Sequence, residues 1–152
     1  MFADTDFTQP CEDRDFADWH QGFPWCAVWV VWLEGDEVMQ AVAQGRQALG
    51  AALLPRYNRQ PHVTLAYRGL CAPAPGHVAA EYGVESLRAD VQRLQALAPA
   101  PFTLQLQGLG SFTTVPYLAV AHGQPALARL HDALVPQAPA PGWQYVPHVT
   151  LG

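Results

Sequence analysis

The chain has 152 residues, the length of one domain, and this is enough to bury a core without disulfides or metals. Half of the residues are hydrophobic and 14 % are charged, which excludes a largely disordered protein. There is no lysine, which excludes Schiff-base chemistry and a phosphate-binding P-loop.

Acidic side chains are concentrated in the first 37 residues, which hold nine of them and a single arginine. A secretory signal peptide is basic at its start, so this pattern argues against secretion. The longest strongly apolar run, 26–33, is too short to cross a bilayer. We therefore expect a cytoplasmic protein with an acidic, aromatic arm at 1–24 and a single domain at 25–152.

Hydrophobic patterning predicts the elements of the first half. The apolar run 26–35 is typical of a buried strand, and its tryptophans are predicted to lie in the core. Asp36 and Glu37 are typical of a helix start, and Pro55 ends that helix. A second strand is predicted over 60–70, between Pro61 and Gly69.

The second half contains this order with one additional helix and one additional strand before it. The segments that follow are a loop at 71–76, a helix at 81–98, strands at 102–110 and 117–121, a helix opened by Pro125, a proline-rich loop at 136–142, and the final segment 143–152. This mixture of hairpins and crossovers predicts an α+β fold made of two similar halves.

The pentapeptide Pro-His-Val-Thr-Leu occurs twice, at 61–65 and 147–151. From average residue usage, such an identity arises by chance in about one in a hundred chains of this length. Successive side chains of a strand alternate faces, so His62 and Thr64 share one face, and His148 and Thr150 do the same in the second copy. The intervening valines and the leucines are predicted to anchor both strands in a core.

Two histidines that converge on one substrate can act as general base and general acid in a single displacement. Two threonine hydroxyls can donate hydrogen bonds to the oxygens of a phosphate between them, although strand propensity alone also explains threonine here. This scheme requires no metal or cofactor. The sequence offers no carboxylate cluster, and its three cysteines include no CxxC pair.

The paired HxTΦ motifs, in which x is any residue and Φ is apolar, resemble those of the 2H phosphoesterase superfamily. The match is closest to the LigT-like RNA 2′,3′-cyclic phosphodiesterases, known also as the 2′-5′ RNA ligase family. The resemblance covers residues 26–152. Its segments are HVTLAYRG at 62–69, PFTLQLQGLGSF at 101–112, PYLAV at 116–120, LARLHDAL at 127–134 and WQYVPHVTL at 143–151.

The resemblance implies two lobes with antiparallel sheets that face a central cleft, with helices outside. It implies that one of His62 and His148 deprotonates water while the other protonates the departing 3′ oxygen. Thr64 and Thr150 would then hold the phosphoryl oxygens. Phe112 would supply a base-stacking surface.

Further site residues follow from the neighbourhood of the first motif. Arg56, Arg59 and Arg68 lie within thirteen residues of one another, so Arg59 and Arg68 are candidates for phosphate binding, with a solvated loop face as the alternative. Tyr67 is a candidate for the pocket wall and for base stacking, with a place in the core as the alternative. His131, on a short helix, is predicted to be structural.

The leading hypothesis is a metal-independent phosphodiesterase that opens a 2′,3′-cyclic phosphate, at an RNA end or on a small nucleotide, to a 2′-phosphomonoester. One alternative is a degenerate 2H fold that binds RNA or a nucleotide without turnover. Others are an ADP-ribose cyclic phosphate phosphodiesterase and a 2′-5′ RNA ligase, which runs the same chemistry backwards. No membrane partner is expected, and the sequence leaves the oligomeric state open.

Overall fold

The two copies of the pentapeptide lie on strands of two separate antiparallel sheets. The structure is a computed structural model that describes residues 8–11, 20, 22–55, 59–71, 82–137 and 140–152. The elements in chain order are β1 (Trp25–Trp32), α1 (Asp36–Leu49) with a short 3₁₀ turn after it (Gly50–Ala52), β2 (His62–Cys71), α2 (Val84–Leu97), β3 (Gln105–Ser111), β4 (Pro116–His122), α3 (Gln124–Leu134) and β5 (His148–Thr150).

Among the described residues, β1 pairs with β2 to form the first sheet, and β3, β4 and β5 form the second sheet in that order. Trp32 stands opposite His62 in the first sheet, and Ala119 stands opposite His148 in the second. Strand β2 also contacts β5, so the two repeated motifs lie side by side. The predicted α+β class with antiparallel sheets is confirmed.

The predicted alternation within each motif is also confirmed. Val63 and Val149 are at most 1 % exposed, and the leucines two residues later, Leu65 and Leu151, are buried with them. The histidines and threonines that alternate with these apolar residues are all half-buried. The apolar side chains join one core with α3, whose residues Leu127, Leu130 and Leu134 pack against them. Burial of the apolar face thus fixes the direction of the polar one.

Helices α1 and α3 each contact the sheet of the other half. Helix α1 packs against β3 and β4, while α3 packs against β2 and α2. The approach of α1 is close at Gly45, where an added Cβ would lie 3.0 Å from Cδ1 of Leu151. This exchange of helices ties the two sheets into one core.

Strand β2 carries two β-bulges. The register with β1 passes from Ala66 to Thr64 and from Gly69 to Tyr67, so Leu65 and Arg68 are extra residues on β2. A bulge changes the phase of the alternation. Arg68, which strict alternation would place on the face of His62, therefore turns toward α2.

Strand β1 corrects one prediction, because its tryptophans are not all in the core. Trp25 and Trp32 are 69 % and 59 % exposed, and Trp29 alone of the three is half-buried. Within the described residues β1 pairs with β2 in a two-stranded sheet. Trp29 contacts α2, whereas Trp32 lies three residues later and so on the opposite face, and Trp25 lies at the end of the strand. An unbroken apolar run does not distinguish such a strand from a central one.

Other boundaries differ less from the predictions. The first helix ends at Leu49 rather than near Pro55, and the final strand is limited to His148–Thr150. The predicted loop at 71–76 lies, after Cys71, outside the described residues. Of the predicted arm at 1–24, residues 8–11, 20 and 22–24 are described, and the Gln9 N–H donates to the carbonyl of Thr113.

A fully buried carboxylate, Asp90 of α2, ties that helix to the first sheet. Arg68 donates two hydrogen bonds to it, from Nε at 2.8 Å and from the guanidinium at 3.2 Å. Trp29, Tyr82 and Arg93 donate one each. Burial alone would raise the pKa of Asp90, but the bonds from Arg68, Trp29 and Tyr82 outweigh it and lower the pKa.

We expect Asp90→Asn to destabilise the protein by about 3–5 kcal/mol, because it leaves the half-buried Arg68 guanidinium without its counter-charge. Urea unfolding measures this loss. In the wild type, the ionised Asp90 stabilises the folded state at pH values above 3.8, the ordinary pKa of the carboxyl group. This stabilisation is lost as the pH falls through the lower pKa that Asp90 has in the folded protein. Asp90→Asn should remove this acid dependence.

The matched control is Glu85→Gln on the same helix. Glu85 pairs with Arg88, but both side chains are largely exposed, so this change should alter the free energy of unfolding by less than about 0.5 kcal/mol. Equal effects of the two substitutions would contradict a structural role for the buried network.

Candidate active site

A cavity of about 720 Å³ opens where β2 approaches the segment that leads into β5. Six of the eight predicted site residues line it: Arg59, Thr64, Tyr67, Phe112, His148 and Thr150. His62 is not part of the lining, but it precedes Thr64 by two residues on the same face of β2. The fold therefore brings the two threonines and one histidine together around one space, with the second histidine next to it.

The two histidines have the same backbone anchor. The Nδ1–H of His62 donates to the carbonyl of Gln60 at 2.8 Å, and the Nδ1–H of His148 donates to the carbonyl of Val146 at 2.7 Å. A carbonyl oxygen can only accept, so the proton of each neutral ring lies on Nδ1. Nε2 then carries the lone pair, and this atom is available for proton transfer.

Proline explains why the anchor occurs in both copies. Pro61 and Pro147 stand between each histidine and the carbonyl that it binds. Proline fixes its own φ near −65° and holds the preceding residue in an extended conformation. The pentapeptide thus sets the tautomer of its histidine as well as the direction of the side chain.

The surroundings of the two histidines differ. Phe112 lies edge-on to His148 with ring centroids 4.8 Å apart, and Tyr117 lies at 5.2 Å. His62 has Trp32, at 5.5 Å and also edge-on. Burial lowers the pKa of His148, and the charge of nearby His62 lowers it further, against the hydrogen bond to Val146, which raises it. His148 is therefore biased toward its neutral form.

Sequence reasoning missed Tyr145, which connects the two motifs. Its hydroxyl donates to the carbonyl of Thr64 at 2.7 Å, and burial raises its pKa, so the hydroxyl keeps its proton at neutral pH. His131 acts similarly: it is buried, and its Nδ1–H donates to the carbonyl of Leu65 at 2.6 Å. The structural role predicted for His131 agrees with this contact. For Tyr145 the one available signal was a tyrosine three residues before a motif histidine.

Arg68 lies outside the cavity lining, and its guanidinium is bound to Asp90. Phosphate binding by Arg68 stays a prediction that would require this ion pair to open. Arg59 does line the cavity and is exposed. Arg56 lies outside the described residues. The predicted base stacking by Phe112 and Tyr67 stays a prediction, although both rings line the cavity.

A family model described as the 2′-5′ RNA ligase superfamily matches residues 34–152. The chain belongs to this superfamily, whose members are 2H phosphoesterases, and the resemblance inferred from the paired motifs is confirmed. No significant match is found among curated proteins or among solved structures.

The described residues contain no group of three or more His, Cys, Asp or Glu side chains placed to hold a metal ion. None of the helices they form is long and apolar enough to span a membrane.

The electrostatic coupling of the two histidines gives a direct test of the site. In the wild type we expect the pKa of His148, measured by NMR titration of its imidazole, to lie below the ordinary 6.5. His62→Asn should raise it, because a neighbouring positive charge is removed, but burial should keep it below 6.5.

His122→Asn serves as the control, since His122 lies exposed at the far end of β4. It should leave the titration of His148 unchanged. A His148 pKa at or above the ordinary value, or one that does not respond to His62→Asn, would contradict the geometry.

Proposed function

We propose that this protein is a metal-independent phosphodiesterase that opens a 2′,3′-cyclic phosphate to a 2′-phosphomonoester. Membership of the 2H phosphoesterases supports the general class of chemistry. The observation that carries the specific proposal is the pair of histidines with equivalent anchors and available Nε2 atoms beside two threonine hydroxyls. In-line displacement at phosphorus needs one proton acceptor and one proton donor on opposite sides.

We assign the base to His148 and the acid to His62. The lowered pKa of His148 favours the neutral ring, which a general base needs at neutral pH. Its Nε2 accepts a proton from water as the water oxygen forms a bond to phosphorus. The bond from phosphorus to the 3′ oxygen breaks, and that oxygen takes a proton from Nε2 of His62. Solvent then restores both protonation states.

Binding of the phosphate is assigned to Thr64, Thr150 and Arg59. The hydroxyls can donate to the non-bridging oxygens, where charge accumulates in the transition state. Arg59 adds a positive charge at the cavity. No carboxylate stands among the described residues of the lining, so this space suits an anion.

Ligation of RNA ends through a 2′-5′ bond uses the same groups in reverse. In that reaction the same two histidines would act as acid and base while a 2′ hydroxyl attacks a cyclic phosphate and forms the new bond. Product analysis decides between the directions, because hydrolysis yields a 2′-phosphomonoester and ligation yields a longer chain. A protein that binds nucleotides without turnover would give neither product.

The first experiment measures hydrolysis of 2′,3′-cyclic mononucleotides and of an oligonucleotide with a terminal 2′,3′-cyclic phosphate, in excess EDTA. His62→Ala and His148→Ala should each lower kcat by about 10²–10⁴, the usual contribution of a positioned acid or base. His122→Ala is the matched control and should retain wild-type turnover. Near-normal kcat in either of the first two variants would rule out the two-histidine mechanism.

The pH dependence gives an independent check on the assignment of the base. As the pH falls, activity is lost when His148 becomes protonated, so the acid limb of kcat/KM should lie below the ordinary histidine value of 6.5. The alkaline limb reports loss of the proton from the acid. An acid limb above 6.5, or a rate that rises through pH 5–9, would contradict the assignment.

A further inference from the structure

We propose that Trp143 is the stacking platform for the nucleobase of the substrate, so that the cavity favours a nucleotide over a sugar phosphate without a base. The inference rests on the proposed function for the position of the phosphate. It adds a residue that neither motif contains, on a wall of the cavity formed by α3 and the segment before β5.

The indole of Trp143 is held in place from its inner side. It stacks on the ring of His131 with centroids 5.3 Å apart, and Tyr145 stacks on the same imidazole at 4.3 Å. His131 is itself buried and fixed by its bond to the Leu65 carbonyl. The three rings form an aromatic cluster that is anchored on β2.

The backbone also supports this position. The N–H of Trp143 donates to the carbonyl of Ala140 at 3.0 Å and closes a turn. Gly142 in that turn has φ of 82°, in the left-handed region that favours glycine. Trp143 is nevertheless 42 % exposed while it lines the cavity, so a large part of the ring remains accessible.

The chemistry of the lining matches the two ends of a nucleotide. Thr64, His148 and Thr150 supply the polar groups suited to a phosphate, and most of the remaining lining is apolar or aromatic. A flat base is the part of a nucleotide that an exposed indole face binds, and stacking of this kind is worth about 1–3 kcal/mol per base. Gln144, next to Trp143 in the lining, offers an amide to the edge of a base.

Phe112, the residue implied by the family resemblance, is placed differently. Its ring contacts His148 and also Tyr117, at 4.6 Å. Loss of Phe112 should therefore disturb the catalytic imidazole whatever the substrate carries. Loss of Trp143 should lower kcat/KM mainly for substrates that carry a base.

The experiment compares adenosine 2′,3′-cyclic phosphate with the 2′,3′-cyclic phosphate of 1-O-methylribose, which has no base. The quantity measured is the ratio of kcat/KM for the two substrates. Trp143→Ala should lower this ratio at least about fivefold, the lower bound of measured stacking contributions. Trp143→Phe should restore part of it, because a smaller aromatic face remains, and Trp143→Leu should not.

Trp25→Ala is the matched control, because Trp25 is an exposed tryptophan at the end of β1 remote from His62. It should leave the ratio unchanged. Phe112→Leu should lower kcat for both substrates. A ratio that stays within twofold of wild type in both Trp143→Ala and Trp143→Leu would overturn the proposal.

Calorimetry with adenosine 2′-monophosphate separates this inference from the proposed function. If the wild type hydrolyses neither substrate, the proposed function fails, yet weaker binding by Trp143→Ala than by Trp143→Phe would still support the platform. Equal affinity of wild type and Trp143→Ala for the nucleotide would overturn the platform even if hydrolysis is found.

Discussion

The hydrogen bond from Tyr145 to the carbonyl of Thr64 joins the two halves of the site. The sheets share no strand among the described residues, so pairing within either sheet does not set the distance between the two motifs. A bond from the segment that precedes His148 to the backbone of β2 spans that distance, together with the core that the two motifs share. The contact of His131 with the Leu65 carbonyl supplies a second tie one residue further along. The second acceptor, Leu65, is the extra residue of a β-bulge, and the first, Thr64, precedes it.

The two described arginines near the first motif, Arg59 and Arg68, have different surroundings. Asp90 gathers five hydrogen bonds and holds Arg68 against α2, away from the cavity. A buried carboxylate left without its guanidinium would cost several kcal/mol, so Arg68 is not free to follow a ligand. Arg59, by contrast, is exposed and is the arginine among the described residues that line the cavity. Whether an arginine near a motif in sequence lines the cavity therefore depends on the register of its strand.

Short-range patterns predicted most of the fold and the centre of the site. The period of two within Pro-His-Val-Thr-Leu was sufficient to place Val63 and Val149 in the core and the histidines beside a cavity, because burial of one face determines the other. Features that depend on distant partners were not predictable. The bulges that turn Arg68 arise from pairing with β1, the exposure of Trp25 from its place at the end of that two-stranded sheet, and the role of Tyr145 from a contact 81 residues away in sequence.

Identical pentapeptides give chemically different histidines because each motif meets a different half of the molecule. The proline and the carbonyl before it impose one tautomer on both rings, and this part of the chemistry is encoded locally. Solvation is not. His148 packs against Phe112 and Tyr117 inside the second sheet, whereas the aromatic neighbour of His62 is the largely exposed Trp32. An acid and a base need opposite protonation states at one pH, so a duplicated motif becomes a catalytic pair only when its two environments diverge.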